Sequence, residues 1–176
     1  AMVAPGKGIL AADESSGTIK KRFDAISVES TEDNRRDYRE MMFRAKDAMS
    51  KYISGVILYD ETIWQKAKDG TPLVMVIEQA GVIPGIKVDE GTKPLPGCPG
   101  ELITAGLDGL PTRLPKYYEQ GARFAKWRAV IDIGQGIPSY AAIRTNAHAL
   151  ARYAALCQVA QIVPIVEPEV LMDGDH

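Results

Sequence analysis

Five short apolar runs, each passing into charged or polar residues, recur along the chain. They are Lys7 to Asp13 (KGILAAD), Ile53 to Tyr59 (ISGVILY), Val82 to Val88 (VIPGIKV), Phe124 to Ile133 (FAKWRAVIDI) and Ile162 to Val166 (IVPIV). Runs this short and this continuously apolar fit strands buried on both faces. Helical patterns separate them. Thr31 to Ser50 predicts a helix with a Thr cap, acidic residues in its first turn and a stripe at Met41, Met42, Ala45 and Met49. Thr62 to Ala67 and Pro115 to Gln120 predict short helices, and Ser139 to Val159 a long Ala-rich one with apolar residues at Ile143, Leu150, Tyr153 and Leu156. Strands alternating with about four helices imply an α/β fold with a parallel sheet and right-handed crossovers. Glu90 to Leu110, rich in Gly and Pro, reads as an irregular loop of the functional or mobile kind. No linker divides the chain, so residues 1–176 are expected to form a single domain.

Charge and composition narrow the functional classes. The 176 residues are 45% hydrophobic and 25% charged, with 21 Lys and Arg against 23 Asp and Glu, a net charge of -2. That balance gives no bulk attraction to nucleic acid or to an anionic membrane. No apolar run reaches the roughly 20 residues of a membrane span, and the start AMVAPGKGIL lacks a secretory pattern. A soluble, cytoplasmic protein is expected. Cys98 and Cys157 lie far apart without a CxxC motif, which suits a reducing compartment. With His148 inside an Ala-rich segment and His176 terminal, ligand supply for a metal is poor, so no metal is expected. Gly6-Lys7-Gly8 precedes the first strand instead of following it, so no dinucleotide is expected either.

The charged residues of the apolar runs carry the chemistry. Asp13; Asp60 and Glu61; Lys87 and Asp89; Lys126 and Arg128; and Glu167 and Glu169 stand at or just beyond successive strand ends. Residues two apart on a strand share a face, so Lys126 projects with Arg128 and Glu167 with Glu169. Burying an ion costs several kcal/mol, on the order of magnitude set by desolvation, unless it is paired or functional. Two readings are open for each position, a structural ion pair or a site for a phosphorylated substrate. Repetition at five strand ends with complementary signs favours the site, with Lys and Arg holding phosphate and carboxylates moving protons.

The motifs GILAADES, ESTEDNRR, GVILYDET, PGIKVD, AGLDGL, GARFAKWR, NAHALARYA and IVPIVEPEVLMDGDH follow one another in the order and approximate spacing of class I, Schiff-base fructose-1,6-bisphosphate aldolases. The chain resembles the N-terminal half of that family over nearly its whole length, with PLPGCPGE and VLMDGDH closer to bacterial members. The resemblance implies a (β/α)₈ TIM barrel, of which these residues cover about the first five strands and four helices. It also implies reversible cleavage of fructose 1,6-bisphosphate in glycolysis and gluconeogenesis, with no cofactor, a sugar phosphate as the small-molecule partner, and a homo-oligomer, tetramers being common in the family.

Residue by residue, Asp13 matches the aspartate that orients substrate hydroxyls and assists proton transfer during carbon-carbon cleavage, its alternative role being a helix cap beside Ser15. Lys126 matches the lysine that stabilises developing negative charge, and Arg128 an arginine near a substrate phosphate. Glu167 matches the general acid/base of Schiff-base formation and hydrolysis, and Glu169 the neighbour that tunes charge around the lysines. Lys87 matches a substrate-site lysine. Ser15, Thr18 and Arg22 match the phosphate-binding region after the first strand, although Arg22 also fits a solvated helix turn. The imine-forming lysine belongs to a later strand in a motif resembling LLKPN, which does not occur among these residues. The C-terminal part of the barrel is therefore expected to be absent. A non-catalytic sugar-phosphate-binding fragment of the same fold stands as the alternative. Five strands of such a barrel leave two open sheet edges, so instability or self-association is expected of this part alone.

Overall fold

A computed structural model describes all residues, Ala1–His176. The chain runs β1 (Gly8–Ala12), α1 (Ser16–Asp24), α2 (Glu32–Phe43), α3 (Lys46–Tyr52), β2 (Ile53–Leu58), α4 (Asp60–Ile63), α5 (Leu73–Gln79), β3 (Ile83–Lys87), β4 (Thr92–Pro94), β5 (Leu102–Thr104), α6 (Leu110–Glu119), β6 (Phe124–Ile131), α7 (Tyr140–Val159) and β7 (Val163–Val170). Five strands form one sheet in the order β1-β2-β3-β6-β7, and β4 and β5 form a second, two-stranded sheet. The strand order follows the chain, as in the first five strands of a (β/α)₈ barrel. All five expected barrel strands are present.

The chain divides into two compact units, Ala1–Lys87 with Glu119–Phe124, and Val88–Tyr118 with Ala125–His176. In the first, β1 pairs parallel with β2, setting Ala12 opposite Leu58, and β2 pairs parallel with β3, setting Leu58 opposite Ile86. Val56, Ile57 and Leu58 are buried, which is why that segment has no polar alternation. Ser15 caps α1 and Thr31 caps α2, each accepting a hydrogen bond from the backbone N–H three residues on. Gly55 and Gly85 make room for the buried ring of Phe124.

In the second unit α7 lies against β7, with Leu150, Tyr153 and Cys157 buried. Trp127 is fully buried, and its ring stacks on Tyr153 with centroids 5.6 Å apart. Ser139 caps α7 through the N–H of Ala142.

Several elements differ from expectation. The helix expected over Thr31 to Ser50 is two, because Ala45 leaves helical geometry with ψ 66 between α2 and α3. Its inward face is Arg39 and Phe43, with Met49 in α3, while Met41 is 64% exposed. Helix α1, starting at Ser16, and helix α5 are not among the expected helices, α5 because its LVMVIEQ is too short and too apolar to show a helical period. Seven helices therefore stand where four were expected. The Glu90 to Leu110 stretch holds an antiparallel hairpin that sets Thr92 opposite Thr104. Helix α6 begins at Leu110 and contains Pro115, and β7 continues past Val166 through Glu167, Pro168 and Glu169. Pro168 is tolerated because β7 is the last strand in the sheet order. No helix is long and apolar enough to cross a membrane.

Candidate active site

In the second unit the alternation of β6 directs Trp127 into the core and Lys126 and Arg128 to the other face. The alternation of β7 does the same for Glu167 and Glu169. The two pairs meet. Lys126 Nζ lies 3.4 Å from Glu167 Oε2, with the side chains 14% and 31% exposed. Arg128 Nε donates to Glu169 Oε2, the two side chains being 40% and 39% exposed. This hydrogen bond holds the Glu169 carboxyl below its ordinary range against the opposing effect of burial. The same contact raises the Arg128 guanidinium.

The backbone beneath this quartet is fixed from one side. The Val88 N–H donates to the Lys126 carbonyl at 3.0 Å, and Thr104 Oγ1 donates to the Arg128 carbonyl at 2.6 Å. Asp89, buried, accepts from the N–H of Gly91 at 3.1 Å and from that of Arg128 at 3.4 Å. From sequence Asp89 is legible only as a strand-end charge, and Thr104 is not legible at all, because its contact depends on a hairpin that turn-rich composition conceals.

In the first unit Asp13 is buried directly after β1, and Lys87, half-buried, ends β3. Ser15, not Asp13, is the helix cap. Its Oγ accepts from the Thr18 N–H at 3.4 Å and lies 3.1 Å from Thr18 Oγ1. Arg22, exposed, donates to Glu14 Oε1 at 2.5 Å and to Tyr38 Oη at 3.3 Å, so its guanidinium turns back to the strand-helix corner. Ser15, Thr18 and Arg22 thus share the first two turns of α1.

Behind them lies a charge cluster that sequence reasoning missed. Arg39 is 0% exposed, and its Nη2 donates to the Glu14 carbonyl at 2.6 Å. Its Nη1 is 3.6 Å from Glu61 Oε1, and its guanidinium lies 5.7 Å from the Tyr59 ring centroid. Arg35 binds the same Glu61 with two hydrogen bonds, at 2.8 and 2.6 Å. Burial lowers the Arg39 guanidinium, and the neighbouring Glu14 and Glu61 oppose that shift. A signal existed in the spacing: Arg35, Arg39 and Phe43 recur every fourth residue, the period of one helix face.

The family model for class-I fructose-bisphosphate aldolase matches residues 1–176. The chain belongs to the class-I fructose-bisphosphate aldolase family. It is 64% identical over 176 residues to a probable fructose-bisphosphate aldolase class 1 from Xanthomonas campestris, covering 100% of this chain and 52% of the relative. It is 58% identical over 176 residues to a fructose-bisphosphate aldolase from Echinococcus multilocularis, covering 100% of this chain and 48% of that protein. A solved fructose-bisphosphate aldolase structure from Plasmodium falciparum superposes with a TM-score of 0.96 at 50% identity, covering 99% of this chain and 51% of that one. The chain spans about half the length of these aldolases. The bacterial resemblance accords with the Xanthomonas relative.

Proposed function

We propose that this chain carries the substrate-orienting and proton-transfer residues of an aldolase that reversibly cleaves fructose 1,6-bisphosphate to dihydroxyacetone phosphate and glyceraldehyde 3-phosphate through a Schiff base. The observation that carries the reading is the contact of Lys126 with Glu167, an ammonium and a carboxylate 3.4 Å apart and only partly exposed. A carboxylate within reach of a cation, on a rigid strand, can take and return the proton that imine formation and hydrolysis require. Glu167 is the general acid/base of those steps. Lys126 stabilises the negative charge that develops beside it. Glu169, held ionised by Arg128, keeps a fixed negative charge next to the pair.

Arg128 supplies a forked cation of the kind that binds phosphate. Ser15, Thr18 and Arg22 serve a substrate phosphate at the start of α1, Lys87 contacts substrate, and Asp13 orients its hydroxyls and assists proton transfer as the carbon-carbon bond breaks. The imine-forming lysine comes from the part of the relatives' length that this chain does not cover. The reaction belongs to glycolysis and gluconeogenesis in the cytoplasm, in keeping with a 60% identical Arabidopsis thaliana relative named cytosolic, and the protein works as a homo-oligomer.

Borohydride reduction of the complete protein in the presence of dihydroxyacetone phosphate tests the reading, with cleavage of fructose 1,6-bisphosphate followed in parallel. A covalent adduct with turnover is expected. Turnover without any trapped adduct would overturn the Schiff-base assignment.

A further inference from the structure

Arg39 is the most deeply buried charge of the first unit, at 0% exposure, and the proposed chemistry assigns it nothing. Leaving a guanidinium without water is unfavourable unless neighbours repay it. Here the repayment is incomplete, because Nε and Nη1 of Arg39 and Oε2 of Glu14 make no hydrogen bond. A core packed only for stability would place an apolar residue at this point of α2, four residues before Phe43. The contacts that Arg39 does make converge on two strand ends. Nη2 holds the main-chain carbonyl of Glu14, the residue after Asp13, at 2.6 Å, and stands 3.9 Å from the Glu14 carboxylate. Nη1 faces Glu61, two residues after the Tyr59 whose ring the guanidinium also approaches. Arg35 holds Glu61 in turn, so the second anchor is itself clamped.

We infer that Arg39 is a positioning residue for Asp13: its planar fork ties the Glu14–Ser15 peptide, one residue past Asp13, to Glu61 at the start of α4 just after β2, restraining the backbone from which the Asp13 carboxylate is presented. This rests on the reading of Asp13 as the residue that assists carbon-carbon cleavage. The Glu14 carboxylate is also taken by Arg22, at 2.5 Å, so the main-chain hydrogen bond from Arg39 is the contact that acts on the backbone itself. A lysine could keep the charge here but could not span both anchors with a planar fork.

The test uses Arg39→Lys, Arg39→Gln and Asp13→Asn in the complete protein, with cleavage rates divided by the number of sites that trap dihydroxyacetone phosphate on borohydride reduction. Counting trapped sites removes misfolded molecules from the comparison. Both Arg39 variants are expected to trap the ketose phosphate and to keep KM within about twofold. Their kcat per trapped site should fall on the order of 100-fold, the scale of a misplacement of about 1 Å. Normal cleavage per trapped site in both, with Asp13→Asn impaired, would overturn the role of Arg39 alone. Complete loss of trapping in both would make Arg39 a support of the whole fold, overturning the specific link to Asp13. Normal cleavage by Asp13→Asn would remove the reading of Asp13 and the proposal together.

Discussion

Trp127 and Tyr153 stack with their ring centroids 5.6 Å apart and their planes 29° from parallel, fixing the middle of β6 against α7 from the side opposite Lys126 and Arg128. A fully buried aromatic between two cations of the proposed site makes core packing and site geometry one problem. Trp127→Ala should destabilise the protein by about 3–5 kcal/mol, as large aromatic truncations in cores do. It should also lower turnover, because both flanking cations hang from the same stretch of backbone. Denaturant melts and cleavage rates on the complete protein check this, and a loss under about 1 kcal/mol would mean that the stack is not what holds β6.

Lys126 and Glu167 lie 3.4 Å apart and partly open to water, so on the proposed reading their value lies in chemistry more than in folding. Lys126→Ala or Glu167→Ala should reduce kcat by about 10²–10⁴-fold, the usual weight of a positioned acid or base. Stability should change by about 1–2 kcal/mol, between the values for exposed and buried ion pairs. Thermal midpoints recorded beside the rates separate the effects. Normal cleavage in both variants would sink the assignment.

Arg128 makes the stability of the same sheet face depend on pH. The Glu169 carboxyl is lowered from its ordinary value of 4.5, first by the Arg128 hydrogen bond. A depressed carboxyl stabilises the fold at every pH above its unfolded value, and that stabilisation is lost as the pH falls through the folded value. Unfolding free energy should therefore decline below about pH 4.5 more steeply in the native protein than in Glu169→Gln. Parallel acid limbs in urea titrations of the two proteins would remove this pair from the account.

The sequence was most readable where one force acts alone. Buried strands such as Ile53–Leu58 show as unbroken apolar runs, and period two along β6 and β7 already paired Lys126 with Arg128 and Glu167 with Glu169. What stayed hidden depends on two forces in competition. Arg39 occupies a core position that hydrophobicity alone assigns to an apolar residue, so the stripe was sought at Met41, which is exposed. The β4–β5 hairpin lies in a segment whose prolines and glycines outweigh its two short strands. The apolar run of β7 stops at Val166, where a charge and a proline follow, yet the strand continues to Val170 with Glu167 and Glu169 in place.

Phe124 offers a test of packing in the first unit at a residue to which the proposed chemistry assigns no role. A Cβ on Gly85 would lie 2.3 Å from Phe124 Cζ and 2.4 and 2.5 Å from two further ring carbons, and one on Gly55 would lie 2.9 Å from the same ring. The ring is fully buried, so it has little room to retreat. Gly85 has no positive φ, which makes this a question of space and not of backbone conformation. Gly85→Ala should destabilise by about 1–3 kcal/mol through overpacking. Combining it with Phe124→Leu, which shortens the obstructing side chain, should cost about 0.5 kcal/mol or more less than the sum of the single changes. A double-mutant cycle from urea melts measures that coupling, and strict additivity would show that the glycine is required for another reason.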